Sequence, residues 1–281
     1  MKSLQELLNR EFISLRKPWA FLLKDFINET SYKFSFIMQF SGIFFTALVF
    51  FFLSKLLGNT VSPLLKPYGG DYFSFVLIGI AFSNYLQVSL RSFSSCIRNA
   101  QILGTLEALL VTQTSIPTII FSSSLYSFLF ASLRVIVFLL IGVLVLGLNI
   151  GEANFIGAIL ILLLTIFSFS SLGIISASFI MVLKRGDPLS WVFTSMSMLL
   201  GGVYYPITVL PDWVQKFSYL LPITYSLEGM RLALLKGYTL RELLPSIIPL
   251  LIFTVIMIPV SMWVFKYAVT RAKIDGSLIK Y

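Results

Sequence analysis

The sequence predicts an all-α polytopic membrane protein with six transmembrane helices. Of its 281 residues, 57% are hydrophobic and 12% are charged, about half of the roughly 25% charge of soluble domains. Several charge-free runs reach 17 residues or more, the length that a helix needs to cross the hydrocarbon core. Between the last two runs, residues 201–237 contain Gly-Gly and three prolines. Backbone exposed to lipid has to bond within its own helix, so this broken stretch is expected to border protein or water.

The residue types that are missing exclude several classes of site. The chain has no histidine and one cysteine, Cys96, so histidine-based catalysis, haem and zinc or iron–sulfur centres are not expected. Cys96 is interpreted as a small apolar residue near a helix end. The net charge of +9 does not indicate nucleic-acid binding, because the basic residues lie at the ends of apolar runs. The sequence therefore predicts no catalytic residue, no metal site and no nucleic-acid partner.

The first 33 residues are predicted to form an interfacial amphipathic region. They carry ten charges and lack the apolar core of a signal peptide. A first helix places apolar side chains on one face, and Pro18 begins a second amphipathic piece; the apolar residues of the first are Leu4, Leu7, Leu8, Phe12 and Leu15. A tail that stays solvated is the alternative.

Six apolar runs follow and define a transmembrane domain over residues 34–281. The expected spans are residues 34–54, 72–90, 117–146, 155–182, 189–205 and 243–265. Arg134 is the one charge inside the third span. A charge near mid-membrane costs at least about 2.5 kcal/mol, so Arg134 is expected to face protein or water. Two interpretations stay open: a structural contact with helix carbonyls or an acid, and a contact with an anionic headgroup.

Lysine and arginine placement predicts the orientation. With a cytoplasmic N-terminus, 14 of the 21 basic residues fall on the inner side and 6 on the outer side, and Arg134 is the remaining one. Both termini are therefore expected in the cytoplasm. Residues 201–237, which we call the outer segment, are expected outside.

A polar loop between the second and third spans contains a short amphipathic stretch at residues 99–112, which we call the coupling segment. Leu103, Leu106 and Leu110 form its apolar face, and Glu107 is its central acid. That combination suits a small helix in a groove of a partner protein. An ordinary linker helix is the alternative.

Two short helices are expected within the outer segment, because proline favours helix starts. One follows Pro211 and the other Pro222. Glu228 and Arg231 lie three residues apart on the second helix, where a local ion pair is the simplest interpretation.

The order of these features resembles the permease subunit of type-2 ATP-binding cassette (ABC) exporters. G-T-L-E-A-L-L at 104–110 is similar to the family's loop that docks on the ATPase subunit. G-G-V-Y-Y-P at 201–206, L-P at 210–211 and P-I-T-Y-S-L-E-G-M-R at 222–231 resemble the family's late sequence block. The resemblance covers essentially the whole chain.

The resemblance implies a partner assembly and a membrane. It implies a homodimer, or a pair with a related permease, in the lipids of the inner cell membrane, bound to two cytoplasmic ABC ATPase subunits. ATP and magnesium are expected on the ATPase, because this chain lacks a G-x-x-x-x-G-K-[ST] phosphate loop. The chain itself is expected to carry no cofactor and to be no enzyme. An amphipathic or lipid-like compound is expected to move outward through the dimer interface.

The resemblance also implies candidate sites. The ATPase-coupling residues are Asn99, Leu103, Gly104, Leu106, Glu107 and Leu110. The outer gate or re-entrant residues are Gly201, Gly202, Tyr204, Tyr205, Pro206, Pro211, Pro222, Tyr225, Glu228 and Arg231. In this hypothesis the three tyrosines close the pathway and the two short helices shield it. Arg134 is the candidate pathway or headgroup contact.

Three alternatives were weighed against an exporter of lipid-like compounds. A polysaccharide, O-antigen or teichoic acid exporter permease of the same superfamily would favour a tunnel of aromatic and polar side chains. An integral membrane enzyme would need converging acids, histidines or metal ligands. A secondary transporter would be expected to show internal repeats and intramembrane acids, and the sequence shows neither.

Overall fold

A computed structural model describes residues 33–102, 116–183 and 187–274, together with Leu23, Phe26 and Ile27. In this part of the chain every regular element is helical, which confirms the predicted all-α class. The main helices are α1 (Lys33–Leu57), α2 (Tyr72–Ile102), α3 (Ile116–Leu144), α4 (Phe155–Leu183), α5 (Pro188–Leu200), α6 (Asp212–Ser218), α7 (Pro222–Lys236) and α8 (Leu244–Ile274). Nearly all of the predicted interfacial region 1–33 lies outside the described residues.

Among the described residues, four helices are long and apolar enough to cross a membrane. They contain the stretches Tyr72–Ser95, Ser124–Leu144, Phe155–Val182 and Leu244–Ala272, which correspond to the predicted second, third, fourth and sixth spans. The predicted first and fifth spans coincide with α1 and α5, whose apolar parts are the shorter stretches Ser41–Leu57 and Ser190–Leu200. The count of six spans stays a prediction.

The largest differences between the helix ends and the predicted span ends are at three places. Helix α2 runs on to Ile102 and α8 to Ile274, because a helix can continue into the aqueous layer after its apolar run has ended. Within the predicted fifth span, 189–205, helix α5 ends at Leu200. Gly201 forms its C-cap and Gly202 has φ +76°, a left-handed conformation that ends a helix and that glycine adopts readily.

Side-chain caps fix three of the helix starts. The Asp71 carboxylate accepts from the Ser74 backbone N–H at 2.8 Å before α2. Asn154 Oδ1 accepts from the Gly157 N–H at 3.0 Å at the start of α4. Asp187 accepts from the Ser190 N–H at 3.0 Å before α5. Each cap satisfies a backbone donor that has no partner within its helix.

Helix α4 lies at the centre of the bundle and packs against α2, α7 and α8. Its Ile161 and Phe169 side chains are fully buried. A Cβ added at Gly173 would collide with the backbone carbonyl of Ser89 on α2. The two helices therefore approach closely because residue 173 has no side chain, as small residues allow at helix contacts in membranes.

Buried hydroxyl groups join α4 to four neighbouring helices. Thr165 bonds Ser226 of α7 at 2.6 Å, and Ser168 bonds Thr254 of α8 at 2.7 Å. Ser176 contacts Ser190 of α5 at 3.0 Å and Ser94 of α2 at 3.2 Å. Such bonds between helices satisfy polar groups that have no access to water.

Candidate functional site

The outer segment leaves α5 at Gly201 and returns to the bundle through α7. Pro206 and Pro211 both have extended backbone conformations, and a 3-10 turn, Ile207–Val209, lies between them. Pro211 is followed by α6, and Pro222 is the first residue of α7. The fixed φ of proline and its missing N–H are both compatible with a helix start. The break predicted from Gly-Gly and the prolines is thus a connector of extended chain and short helices.

Arg231 is the best-connected side chain of the outer segment. It is 3% exposed. Its Nε donates to the backbone carbonyl of Phe75 on α2 at 3.1 Å, and its Nη2 donates to the carbonyl of Val203 at 3.1 Å. The guanidinium also lies over the Phe75 ring, 3.4 Å from its centroid. One side chain of α7 therefore connects the broken stretch to α2, because an arginine fork can reach two acceptors at once.

The local ion pair predicted between Glu228 and Arg231 is replaced by these carbonyl bonds. Burial lowers the pKa of Arg231 to about 9, so the guanidinium stays protonated at neutral pH. The Glu228 pKa is raised by burial and lowered in smaller part by the charge of Arg231. The two charges influence each other, but the direct partners of the guanidinium are carbonyl oxygens and an aromatic face.

Glycines allow the close approach around Arg231. A Cβ at Gly79 of α2 would collide with the Val203 carbonyl and with the Arg231 guanidinium. A Cβ at Gly201 would collide with Ile223 of α7. The sequence interpretation included Gly201 but missed Gly79 and Phe75, which lie two turns and one turn inside an ordinary-looking span. A glycine inside an apolar run was the available signal for a close backbone contact.

The three candidate gate tyrosines have three different partners. The Tyr204 ring stacks on Phe50 of α1, with centroids 5.8 Å apart and planes at 13°. Tyr205 donates its hydroxyl hydrogen to the Leu199 carbonyl at the end of α5. Tyr225 donates to the Tyr219 carbonyl at 2.9 Å. Tyr204 contacts α1 through this stack, so Phe50 is a further residue of this site that the sequence did not reveal.

Helix α6 presents an apolar face away from the bundle. Its exposed fractions are 69% for Trp213 and 51% for Phe217, and Leu220 just beyond it is 72% exposed. These residues recur at intervals of three and four and share one helix face. Asp212 in the first turn and Lys216 in the last turn complement the helix dipole.

Most of the coupling segment lies outside the described residues. Asn99 is on α2, two turns beyond Arg91, and its side chain is outside the description. Leu103, Gly104, Leu106, Glu107 and Leu110 fall in residues 103–115, which are not described. The described part nevertheless shows that α2 continues without interruption to Ile102, directly before these residues.

Arg134 has protein partners within the third helix and the first. Its guanidinium donates to the Gln39 side-chain oxygen on α1 and lies 4.8 Å from the centroid of the Phe130 ring. These contacts match the structural interpretation in kind, although the acceptor is a glutamine rather than a helix carbonyl or an acid. The headgroup interpretation stays a prediction.

Comparison with known proteins supports a transport role. A family model described as ABC-2 type transporter matches residues 4–235. The chain is similar to the inner membrane transport permease YadH of Escherichia coli (strain K12), with 26% identity over 193 residues, which cover 66% of this chain and 70% of YadH. It is also similar to nodulation protein J of Sinorhizobium fredii, with 24% identity over 201 residues, which cover 65% of this chain and 75% of that protein.

Proposed function

Because the chain belongs to the ABC-2 type transporter family, we propose that it is the membrane subunit of an ATP-driven exporter for an amphipathic or lipid-like compound. The family match over residues 4–235 carries this proposal. The similarity to an inner membrane transport permease supports a multi-pass location in the inner membrane. The apolar helices α2, α3, α4 and α8 agree with that location.

The energy for transport comes from partner subunits. This sequence lacks the phosphate-loop pattern that binds ATP. We therefore assign ATP and magnesium to two cytoplasmic ABC ATPase subunits, and the pathway to a dimer of this chain or a pair with a related permease. Both termini lie in the cytoplasm, as the lysine and arginine distribution favours.

Helices α1 and α5 complete six spans in this proposal. The 25 residues of α1 correspond to about 37 Å at 1.5 Å per residue, enough to cross the bilayer. The 13 residues of α5 correspond to about 20 Å, which is too short to cross alone. The outer segment then occupies the rest of the bilayer depth above α5, where its non-helical backbone is packed against protein.

Helix α2 connects the two ends of the transport machinery. Its 31 residues correspond to about 46 Å. Phe75 and Gly79 near its start contact the outer segment through Arg231 and Val203. Its end at Ile102 leads into the coupling segment, which we propose docks on the ATPase. Movement of the coupling segment would then reach the outer segment through one continuous helix.

The outer segment acts as the exit gate in this proposal. Tyr204 closes one side by stacking on Phe50 of α1. Tyr205 and Tyr225 fix the ends of the adjoining helices through carbonyl bonds. The exposed apolar face of α6 shields the gate from the outer leaflet, since its indole and phenyl groups suit the membrane interface.

Export from proteoliposomes tests the function. The permease would be reconstituted with its co-purifying ATPase, and ATP would be added on the side of the ATPase. We expect ATP-dependent movement of a fluorescent short-chain phospholipid to the opposite leaflet, and none when the ATPase carries an inactivated catalytic site. A lipid-linked polysaccharide that moves while the fluorescent lipid does not would favour the polysaccharide branch of the family. Equal movement with and without ATP would contradict the proposal.

A further inference from the structure

A polar cavity lies where the later part of α2 meets α4 and the start of α5. Its volume is about 350 Å³, within the range of small-molecule sites. Two arginines and five hydroxyl side chains contribute to its wall, together with one indole, one acid and one isoleucine. These residues are Arg91, Ser94, Ser95, Arg98, Ile180, Asp187, Ser190, Trp191, Thr194 and Ser195. None of them belongs to the candidate sites described above.

The two arginines lie on one face of α2. Arg91 and Arg98 are seven residues apart, which is two helical turns and about 10 Å along the axis. Ser94 and Ser95 lie between them on the cavity wall. Both arginines are exposed, and within the described residues neither guanidinium forms an ion pair or hydrogen bond. Their donors are therefore available to a ligand in the cavity.

The single acid of the cavity wall has its oxygens occupied by neighbouring donors. Asp187 accepts hydrogen bonds from the Ser176 hydroxyl, the Ser190 hydroxyl and the Ser190 backbone N–H. Ser176 is also bonded to Ser94 at 3.2 Å. This hydrogen-bonded cluster joins α2, α4 and α5 beside the cavity. Asp187 contributes one negative charge against the two positive charges of the arginines, so the wall is net positive.

The Trp191 indole indicates the level in the membrane at which the cavity lies. Trp191 is 71% exposed and lies one turn into α5, beside the end of the apolar stretch Tyr72–Ser95. Tryptophan favours the boundary between lipid tails and headgroups. A cavity at that level with arginines and hydroxyls meets the phosphates of the adjoining leaflet rather than acyl chains. The proposed orientation makes this the cytoplasmic leaflet, and in this respect alone the inference rests on the proposed function.

We propose that this cavity binds the phosphate group of an anionic lipid from the cytoplasmic leaflet. Arg91 and Arg98 supply charge-assisted hydrogen bonds to the phosphate oxygens, which arginine suits through its planar fork of donors. Ser95, Thr194 and Ser195 supply neutral donors, and Trp191 packs against the glycerol and the first acyl carbons. The site therefore binds a lipid headgroup at the inner end of the bundle, away from the outer segment.

Binding is tested on the full-length permease purified with its ATPase. Native mass spectrometry would compare dihexanoyl phosphatidic acid, dihexanoyl phosphatidylcholine and inorganic phosphate. We expect phosphatidic acid to bind the wild type clearly better than phosphatidylcholine. Arg91→Gln combined with Arg98→Gln should weaken its binding at least about tenfold, because two charged hydrogen-bond donors are lost. Arg91→Lys with Arg98→Lys should retain part of the affinity, since lysine still offers its charge.

The matched control changes two basic residues at the opposite end of the bundle. Lys236→Gln with Arg241→Gln removes the same charge from exposed positions and should leave phosphatidic acid binding unchanged. Equal loss in both double variants would overturn the proposal, since it would show a general charge effect. Displacement of the lipid by inorganic phosphate at equal concentration would overturn the lipid assignment in favour of a soluble phosphate.

A protein occupant is a separate outcome. If Arg91→Gln with Arg98→Gln abolishes ATPase co-purification but leaves phosphatidic acid binding intact, the cavity serves the ATPase and the lipid proposal is wrong. If that variant gives no monodisperse peak in size-exclusion chromatography, the single variants decide the question. Each single variant should then lose binding severalfold, and unchanged binding in both would contradict the proposal. None of these readouts depends on transport, so failure here is distinguishable from failure of the exporter proposal.

Discussion

Arg231 Nε donates a hydrogen bond to the backbone carbonyl of Phe75 at 3.1 Å, across a separation of 156 residues. The same guanidinium reaches Val203 at 3.1 Å. The outer segment is therefore held against α2 by one buried side chain, and its integrity depends on residues far apart in the sequence.

Replacing Arg231 by methionine should destabilise the protein. Methionine can fill much of the volume but donates no hydrogen bond, so the carbonyls of Phe75 and Val203 lose a charged donor in a buried site. We expect a loss of about 2–4 kcal/mol, measured as a lower apparent Tm of the detergent-purified protein. Lys236→Met, at the exposed end of the same helix, is the control and should leave the Tm nearly unchanged. Equal Tm values for both variants would contradict the role of Arg231.

Gly79→Ala should loosen the contact between α2 and the outer segment. The added methyl group would collide with the Val203 carbonyl and with the Arg231 guanidinium. The first is a backbone group, and the second belongs to a side chain that two hydrogen bonds hold in place. We expect a lower Tm and reduced export. Gly42→Ala in α1 is the matched control, because nothing lies within 4 Å of the added Cβ. That change should be neutral or stabilising by up to about 1 kcal/mol, and a similar loss in both variants would argue against a specific contact.

Phe50→Ala should open the outer gate from the side of α1. It removes the ring on which Tyr204 stacks, so Tyr204 loses its contact with α1. We expect faster ATP-independent leakage of a small fluorescent dye from proteoliposomes. Phe45→Ala removes a ring of the same helix that is 63% exposed and should leave leakage at the wild-type rate.

Cysteine crosslinking gives a second measurement of the gate. In a Cys96→Ser background, Tyr204→Cys should form a crosslink between two permease copies in the resting state and lower export. Absence of a crosslink together with normal export would argue against a gate at Tyr204.

Glu107→Arg combined with Leu106→Asp should uncouple the ATPase from transport. These residues lie outside the described part of the chain, and the prediction rests on the amphipathic pattern of the coupling segment. A reversed charge and a buried carboxylate should prevent docking in the ATPase groove, so transport is lost while ATP hydrolysis no longer responds to substrate. Glu152→Arg with Leu240→Asp, both exposed and located in the loops before α4 and α8, is the control. If Glu107→Arg with Leu106→Asp left coupling normal, the proposed role of the coupling segment in ATPase docking would be wrong.

The contributions of two glutamates to the stability of the folded protein should depend on pH in opposite directions. Burial raises the pKa of Glu228 above its ordinary value of 4.5, so its protonated form is favoured in the folded protein. That contribution to stability is present below pH 4.5 and is lost as the pH rises through the folded pKa. Glu228→Gln should therefore remove a decrease in Tm between pH 4.5 and neutrality.

The pKa of Glu242 is shifted in the opposite direction to that of Glu228. The Thr239 backbone N–H and then its hydroxyl lower the Glu242 pKa, so its charged form is favoured in the folded protein. Its contribution is present above pH 4.5 and is lost as the pH falls through the folded pKa. Glu242→Gln should accordingly lower the Tm at neutral pH, and this effect should diminish as the pH falls through the folded pKa. The same direction of change in both variants would contradict these assignments.

The helical class and much of the segmentation followed from composition and apolar run length. Runs such as 155–182 have few other conformations available in a bilayer, because each backbone group has to bond within its own segment. The end of α5 at Leu200 was harder to predict, since Gly201, Gly202 and Pro206 could each have ended the helix. The packing of Gly201 against Ile223 of α7, which leaves no room for a side chain at position 201, could not be read from the sequence.

For each contact of the candidate site, the sequence identified one of the two residues but not its partner. Arg231 was identifiable from its position beside a broken helix, but Phe75 offers a backbone carbonyl, which every residue has. Likewise Tyr204 was identifiable and Phe50 was one of 27 phenylalanines. Partners that act through backbone atoms or through a common side chain leave no distinctive pattern in a single sequence.

The hydroxyl bonds of α4 have a mechanical consequence. Water cannot replace a broken bond inside an apolar bundle, so separating Thr165 from Ser226, or Ser168 from Thr254, leaves polar groups without partners. Helices α2, α5, α7 and α8 are joined to α4 in this way, and they should therefore move together with it as a single rigid body. Bending within this group of five helices should therefore cost more free energy than moving the group as a whole.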